Sequence, residues 1–296
     1  MTGEKMKQTV LEDSMYDSAQ MYQKRVEQIP VEQLMWKTAK DIFHEKVLSE
    51  KQKRPLVLDL CCGPGVFAKS ISPACPGQQV TGVDINKRFV EFCSHKWPQW
   101  KFICQNVLKL KLNSSFNYVL ASSAYHHMRN KEKKNFLVIA KKHLAPNGRI
   151  MVCENFLPKR KTRFHAIKEF YTCFLQCLKL QHASFGAVAA VREAQSNEIA
   201  GKEEHKVTFK RFTQDCKAVG LFIEKDISVW QLPAWKKSNA GSHVIVLAKK
   251  QNPKKTQTVS NCDRFKFCFV DFAIISTSQS LFSLFASRAM GTQRFS

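Results

Sequence analysis

The stretch VLDLCCGPGVFA, Val57 to Ala68, constrains this chain more than any other. Leu56–Leu60 reads as a buried strand and Val66–Ile71 as the start of a helix. Between them stand two cysteines and a Gly-Pro-Gly turn, with Asp59 at the end of the strand. Small loop residues let a ligand approach the backbone closely, so the turn is read as a binding loop.

Two ligand classes use such a loop. Gly63-Pro64-Gly65-Val66-Phe67-Ala68 fits G-x-G-x-x-A, the dinucleotide fingerprint. Asp84 follows at the end of a second strand, where a ribose-binding acid belongs. Asp59 argues the other way. A dinucleotide would place its pyrophosphate on the helix N-terminus. Beside a carboxylate that costs on the order of 1 kcal/mol even at high effective dielectric. S-adenosylmethionine (SAM) carries no phosphate and presents an ammonium and a sulfonium, which suits Asp59.

The pattern around the loop alternates strands with amphipathic segments. Expected strands are Gln79–Asp84, Trp100–Cys104, Phe116–Ala121 and Arg149–Glu154, with helices at Lys87–Cys93 and Lys131–Leu144. Such units predict a parallel sheet with helices on both faces. Residues 156–206 lack strand signals and read as a helical insertion that contains a basic amphipathic helix, Arg160–Leu180. The alternation resumes with a helix at Phe212–Val219, a strand at Phe222–Trp230 and a last strand at His243–Lys250.

Here the chain resembles the class I SAM-dependent methyltransferases. VLDLCCGPG is similar to their first motif, with Cys61 where that family usually has its first glycine. GVDIN resembles the second, Gln105-Asn106-Val107 the adenine-binding position, and LASSAYHHM the fourth. HLAPNGRIMVCEN, FTQDCKAVGLF and HVIVLAKK match later elements, so the resemblance spans residues 50–250. It implies a Rossmann-like α/β sheet of seven strands with the last antiparallel. It implies SAM as cofactor, held by Asp59, Cys61, Gly63, Gly65, Asp84, Asn106, Val107 and Ser122. Asn106 reads either as an adenine partner or as an Asx turn.

His126, His127 and Tyr125 follow the fourth strand, at the carboxyl end of the sheet where ligands bind. Each is a candidate to take a proton as a methyl group moves, or else a packing element. No metal site is expected: eleven cysteines include no CxxC pair.

Residues 1–50 are expected to form an N-terminal helical segment, with Pro30 starting its second helix. Residues 51–250 are expected to form the methyltransferase domain, with residues 156–206 and the N-terminal helices together as a lid over the cofactor. Residues 251–296 form a Phe- and Ser-rich extension, read as ill-ordered or as membrane-touching. No transmembrane span is expected, and the polar N-terminus and odd cysteine count suggest reduced thiols in the cytoplasm.

The leading function is methylation of a small molecule, with Phe164, Phe170, Tyr171, Phe174 and Leu175 either lining an apolar chamber or forming the core face of a helix. An RNA methyltransferase, on tRNA, is the alternative. Lys+Arg 47 against Asp+Glu 24 gives a net charge of +23, with Lys159, Arg160, Lys161 and Arg163 expected near the cofactor mouth. That charge also suggests weak nucleic-acid binding by the surface. A non-catalytic SAM-binding protein is a third reading, disfavoured by the intact loop.

Overall fold

The computed structural model describes residues 19–249. Expectations for the earlier N-terminal residues and for residues 251–296 lie outside the described residues. A helix ending at Val26 (α1, residues 19–26) precedes α2, Pro30–Ser49. Pro30 starts α2, where a missing N–H costs nothing. Val31, Met35, Ala39, Ile42, Phe43 and Val47 recur at helical spacing and form its buried stripe.

Seven strands follow: β1 Leu56–Leu60, β2 Gln79–Asp84, β3 Lys101–Cys104, β4 Phe116–Ser122, β5 Leu144–Phe156, β6 Leu221–Trp230 and β7 Gly241–Lys249. Their order is β3-β2-β1-β4-β5-β7-β6. β1 to β5 pair in parallel, and β7 runs antiparallel to both β5 and β6. The helices between them are α3 Val66–Ile71, α4 Lys87–Lys96, α5 Lys133–Lys142, α6 Arg163–Leu180, α7 Phe185–Ile199 and α8 Phe209–Ala218. Side-chain oxygens of Asn86, Thr162, Ser184 and Thr208 cap α4, α6, α7 and α8.

Strand alternation gives the sheet two apolar faces. Leu58, Val119, Ile150, Val152, Ile245 and Leu247 meet Phe136 of α5 and Phe212 of α8. Val57, Leu120, Met151, Cys153, Val244 and Val246 meet Met35 and Phe43 of α2 and Phe67 of α3. Each fully buried side chain of this size contributes roughly 1.5–3 kcal/mol. Helix α2 is thus part of the core rather than an appendage.

Two boundaries differ from expectation. The helix expected through Leu144 stops at Lys142, and Leu144 begins β5 by pairing with Phe116. A register shift between Phe116 and Tyr118 brings the chain so close at Gly148 that a Cβ there would lie 2.8 Å from the Asn117 carbonyl oxygen. The Ala/Gly-containing part of the insertion is the regular helix α7. Among the described residues no helix is long and apolar enough to cross a membrane, and every cysteine is a free thiol.

Candidate functional site

The carboxyl ends of β1, β2, β3 and β4 border a cavity of about 640 Å³, within the usual range for small-molecule sites. The sheet order lays its wall out in sequence: Asn106 and Val107 after β3, Asp84 on β2, Cys61 and Gly63 after β1, Ser122 and Ser123 after β4. Tyr22 of α1 and Glu32 and Trp36 of α2 close the opposite side. Tyr22 reaches Phe89 of α4, with ring centroids 5.4 Å apart.

Asp84 is anchored at both oxygens. Oδ2 accepts the Gly63 N–H at 2.8 Å and Oδ1 accepts the Asn86 N–H at 2.8 Å. Burial raises its carboxyl, and those backbone N–H groups work against the rise. Each oxygen keeps a further lone pair for a ligand. Gly63 has φ +51° and only open space where a Cβ would project, a cradle that a ligand can approach.

Cys61 also has positive φ, +55°. That conformation costs a non-glycine residue roughly 1–2 kcal/mol and explains the glycine usual in the resembling family. Burial, with Asp84 and Asp59 nearby, pushes the Cys61 thiol up, so it is no nucleophile. Gly65, at φ +72°, lies against Trp97, where a Cβ would meet the ring at 2.5 Å. Gly65 is required by packing rather than by the cavity.

Asp59 lies under the loop, 1% exposed, and does not line the cavity. Burial pushes its carboxyl up to about 8, against one hydrogen bond from the Ala68 backbone. Its Oδ2 is buried without a partner. Asp59 is thus set beneath the loop rather than on the cavity wall, and a cation brought close would favour its ionised form.

Asn106 Oδ1 accepts the Leu108 N–H at 2.9 Å, the Asx-turn alternative, while its side chain still borders the cavity. Ser122 Oγ accepts the Trp36 indole N–H at 3.0 Å.

The three proton-transfer candidates separate. Tyr125 is buried, and its hydroxyl donates to Asp215 Oδ2 at 2.8 Å, away from the cavity. Burial and Asp215 push the phenol up. The expectation for Tyr125 is therefore corrected: it is a packing residue. His126 is also buried outside the cavity, its Nδ1 2.6 Å from Glu154 Oε1 and its Nε2 3.4 Å from Glu204 Oε2. Burial and the Lys206 ammonium hold it well below 6.5, so it is a neutral strut. Of the three, only His127 borders the cavity, with Nδ1 2.8 Å from the Glu203 carbonyl oxygen.

Behind the histidines runs a buried polar network that sequence reasoning missed. Lys206 bonds Glu204, lies 3.6 Å from Glu198 and donates to Tyr171 at 2.9 Å. Arg163 pairs with Glu198 from outside. Burial alone would raise Glu204, but the Lys206 ammonium bonded to it holds its carboxyl below the usual range. His126, His127 and Glu204 bring one potential metal-ligand atom each within 4.8 Å of one another, but Lys206 already supplies the cation there.

The expected aromatic chamber is a second correction. Phe170 stacks on Phe174 and Trp235, and Phe174 meets Trp230 edge-on at 5.0 Å. Tyr171 points to Lys206, Leu175 is half-buried and Phe164 is 54% exposed. None of these five borders the cavity. The basic run does not border it either, and Arg160 is paired with Glu169. The wall residues the sequence did not reveal, Tyr22, Glu32 and Trp36, come from helices whose only readable signal was apolar periodicity.

Residues 57–148 match the family described as "Methyltransferase domain". A demethylmenaquinone methyltransferase of Tropheryma whipplei is 28% identical over 123 residues, which is 40% of this chain and 48% of that protein. The chain thus spans about half the length of the curated relatives it matches. Magnesium protoporphyrin IX methyltransferase of Synechocystis, solved with S-adenosylhomocysteine, superposes with a TM-score of 0.51 at 14% identity, covering 82% of this chain and 100% of that one. The 1,6-didemethyltoxoflavin-N1-methyltransferase of Burkholderia thailandensis gives 0.50 at 13%, covering 85% and 92%. Residues 57–148 thus match a methyltransferase domain, and the strand order is that of the Rossmann-like methyltransferase fold these solved structures share.

Proposed function

We propose that this protein transfers a methyl group from SAM to a small molecule. The observation that carries the reading is Asp84, fixed by two backbone N–H groups on the wall of the cavity beside an open glycine cradle. That arrangement suits a ribose whose two hydroxyls donate to one carboxylate.

SAM would supply an electrophilic methyl group on sulfur. The chain's own residues bind and orient it. Asp84 would take the ribose hydroxyls, and Val107 with Asn106 the adenine. Asp59 would ionise beneath the loop as the ammonium of the methionine end approaches. Trp36 and Tyr22 would exclude water from the opposite side, and the rate comes mainly from alignment of the acceptor.

Charge distribution favours a small acceptor over RNA. The protein is strongly basic, yet its cavity is bordered by Glu32, Asp84, Glu132 and Glu203 against Arg129 and His127. A phosphate backbone would be repelled there. The curated relative and both solved neighbours are named for small-molecule acceptors, which supports the same reading. The test is incubation with methyl-labelled SAM and cell extract divided into metabolites and RNA, with Asp84→Ala as control. Label is expected in the metabolite fraction. Label confined to tRNA would overturn the reading and favour the alternative.

A further inference from the structure

Of the acids bordering the cavity that neither the loop nor the sheet supplies, one is buried. Glu32 sits in the first turn of α2, 7% exposed, and borders the cavity on the β4 side. Both carboxylate oxygens lie 3.4 Å from Ser123 Oγ. Ser123 has positive φ, +49°, and is held by its N–H to the Cys153 carbonyl oxygen at 2.8 Å. Left-handed backbone at a serine is strained, and such strain gathers at functional sites. It recurs at Cys61 on the neighbouring strand end, so two strained residues border one cavity.

Trp36, one turn on from Glu32, ties α2 to Ser122 and fixes where Glu32 points. Among the described residues lining the cavity, the charged groups besides Glu32 are Asp84, Arg129, Glu132, His127 and Glu203.

We infer that Glu32 and Ser123 form the acceptor subsite, that the acceptor is a small molecule presenting an ionisable O–H or a protonated amine, and that Glu32 takes its proton. The inference rests on the methyl-transfer reading above. In the step, the acceptor's proton leaves first, freeing a lone pair on oxygen or nitrogen, and that lone pair then bonds to the methyl carbon as the carbon–sulfur bond breaks. The bond electrons pass to sulfur, leaving neutral S-adenosylhomocysteine, and the acceptor's proton passes to the Glu32 carboxylate. No further reactant is needed. Glu32 is tuned for this. Burial first, then Glu154, raises its carboxyl to about 7, close to where a general base works best.

The groups facing Glu32 are Tyr22 of α1, Ser123 after β4, Cys153, Glu154 and Asn155 of β5, and Lys206 beyond α7. Of these, Glu154 is sealed against His126 and does not border the cavity.

The test needs no knowledge of the acceptor. Sinefungin carries a primary amine where SAM carries its sulfonium methyl, and S-adenosylhomocysteine carries nothing there. Both are titrated calorimetrically into wild-type protein and Glu32→Gln at pH 8 and pH 6. Contacts at Asp84 and Asp59 are common to both ligands and cancel in the ratio of their affinities. The Glu32 carboxylate is charged above pH 7 and neutral below it. Wild type should therefore prefer sinefungin by at least about fivefold at pH 8 and lose most of that preference at pH 6. Glu32→Gln should abolish the preference and keep S-adenosylhomocysteine within about twofold. The pH comparison on wild type stands even if the variant folds poorly. An unchanged ratio at both pH values overturns the inference alone. Failure of both ligands to bind wild type overturns the methyl-transfer reading, and the inference with it.

Discussion

The two halves of the cavity wall are built in opposite ways. On the β1–β3 side the acid and the amide are held by backbone N–H groups of the loops at the strand ends: Asp84 by Gly63 and Asn86, Asn106 by Leu108. On the β4–β5 side contacts join distant segments: Glu32 to Ser123, His126 to Glu154 and Glu204, Lys206 to Tyr171 and Glu198. The first half needs backbone geometry that a few loop residues can encode. The second needs several buried charges matched in three dimensions, and a mismatch there is costly. A common cofactor calls for a wall of the first kind, and an acceptor that varies between proteins is accommodated by the second.

Substitutions can break the comparison from either side. The largest effect is expected at Lys206→Ala. Removing its ammonium leaves Glu204 and Glu198 buried with less compensation, which costs about 3–5 kcal/mol in urea unfolding. A loss under about 1 kcal/mol would mean that the network does not hold the β4–β5 side together.

Asp59→Asn tests the other half and should stabilise. The Asp59 carboxyl is raised to about 8 when folded against about 3.9 unfolded. The folded state therefore binds the extra proton between those values, and wild-type stability falls as pH rises through that window. Asn carries no such penalty. The variant's melting temperature should match wild type near pH 4 and exceed it by about 2 °C or more at pH 8, while S-adenosylhomocysteine affinity drops severalfold. A lower melting temperature at pH 8 would mean that Asp59 is ionised in the folded protein.

The smallest effect is expected at Cys61→Gly. Relief of positive φ is offset by the greater chain entropy of glycine, so stability should change by less than about 1 kcal/mol in either direction. A larger loss would show that the Cys61 side chain packs against something essential on the cofactor side.

The same contrast explains what was legible in the sequence. Strand ends and glycines lie in register with the chain, so VLDLCCGPG and GVDIN located the loop and Asp84 directly. The parallel strands with helices on both faces followed from the alternation of elements. Tyr125 and His126 misled because proximity to a strand end does not fix orientation. Within one short turn, Tyr125 and His126 face the core while His127 faces the cavity. Lys133 shows the same limit of sequence proximity: within a run of charged residues it is fully buried, its ammonium donating to the Tyr125 carbonyl oxygen at 2.7 Å. Phe170 and Phe174 read equally well as chamber or core, and Trp230 and Trp235, far along the chain, decided for core. Glu32 was hidden because an acid in the first turn of a helix ordinarily serves the helix dipole. Only the tertiary approach of α2 to β4 gives it another role.

The most direct test of the cofactor side is calorimetric titration of wild type and Asp84→Ala with S-adenosylhomocysteine and with NAD. Wild type is expected to bind S-adenosylhomocysteine and to give no binding heat with NAD. Asp84→Ala, having lost two charge-assisted hydrogen bonds to ribose, should bind about 10- to 100-fold more weakly. Saturable NAD binding with no response to S-adenosylhomocysteine, or an Asp84→Ala affinity equal to wild type, would contradict the account.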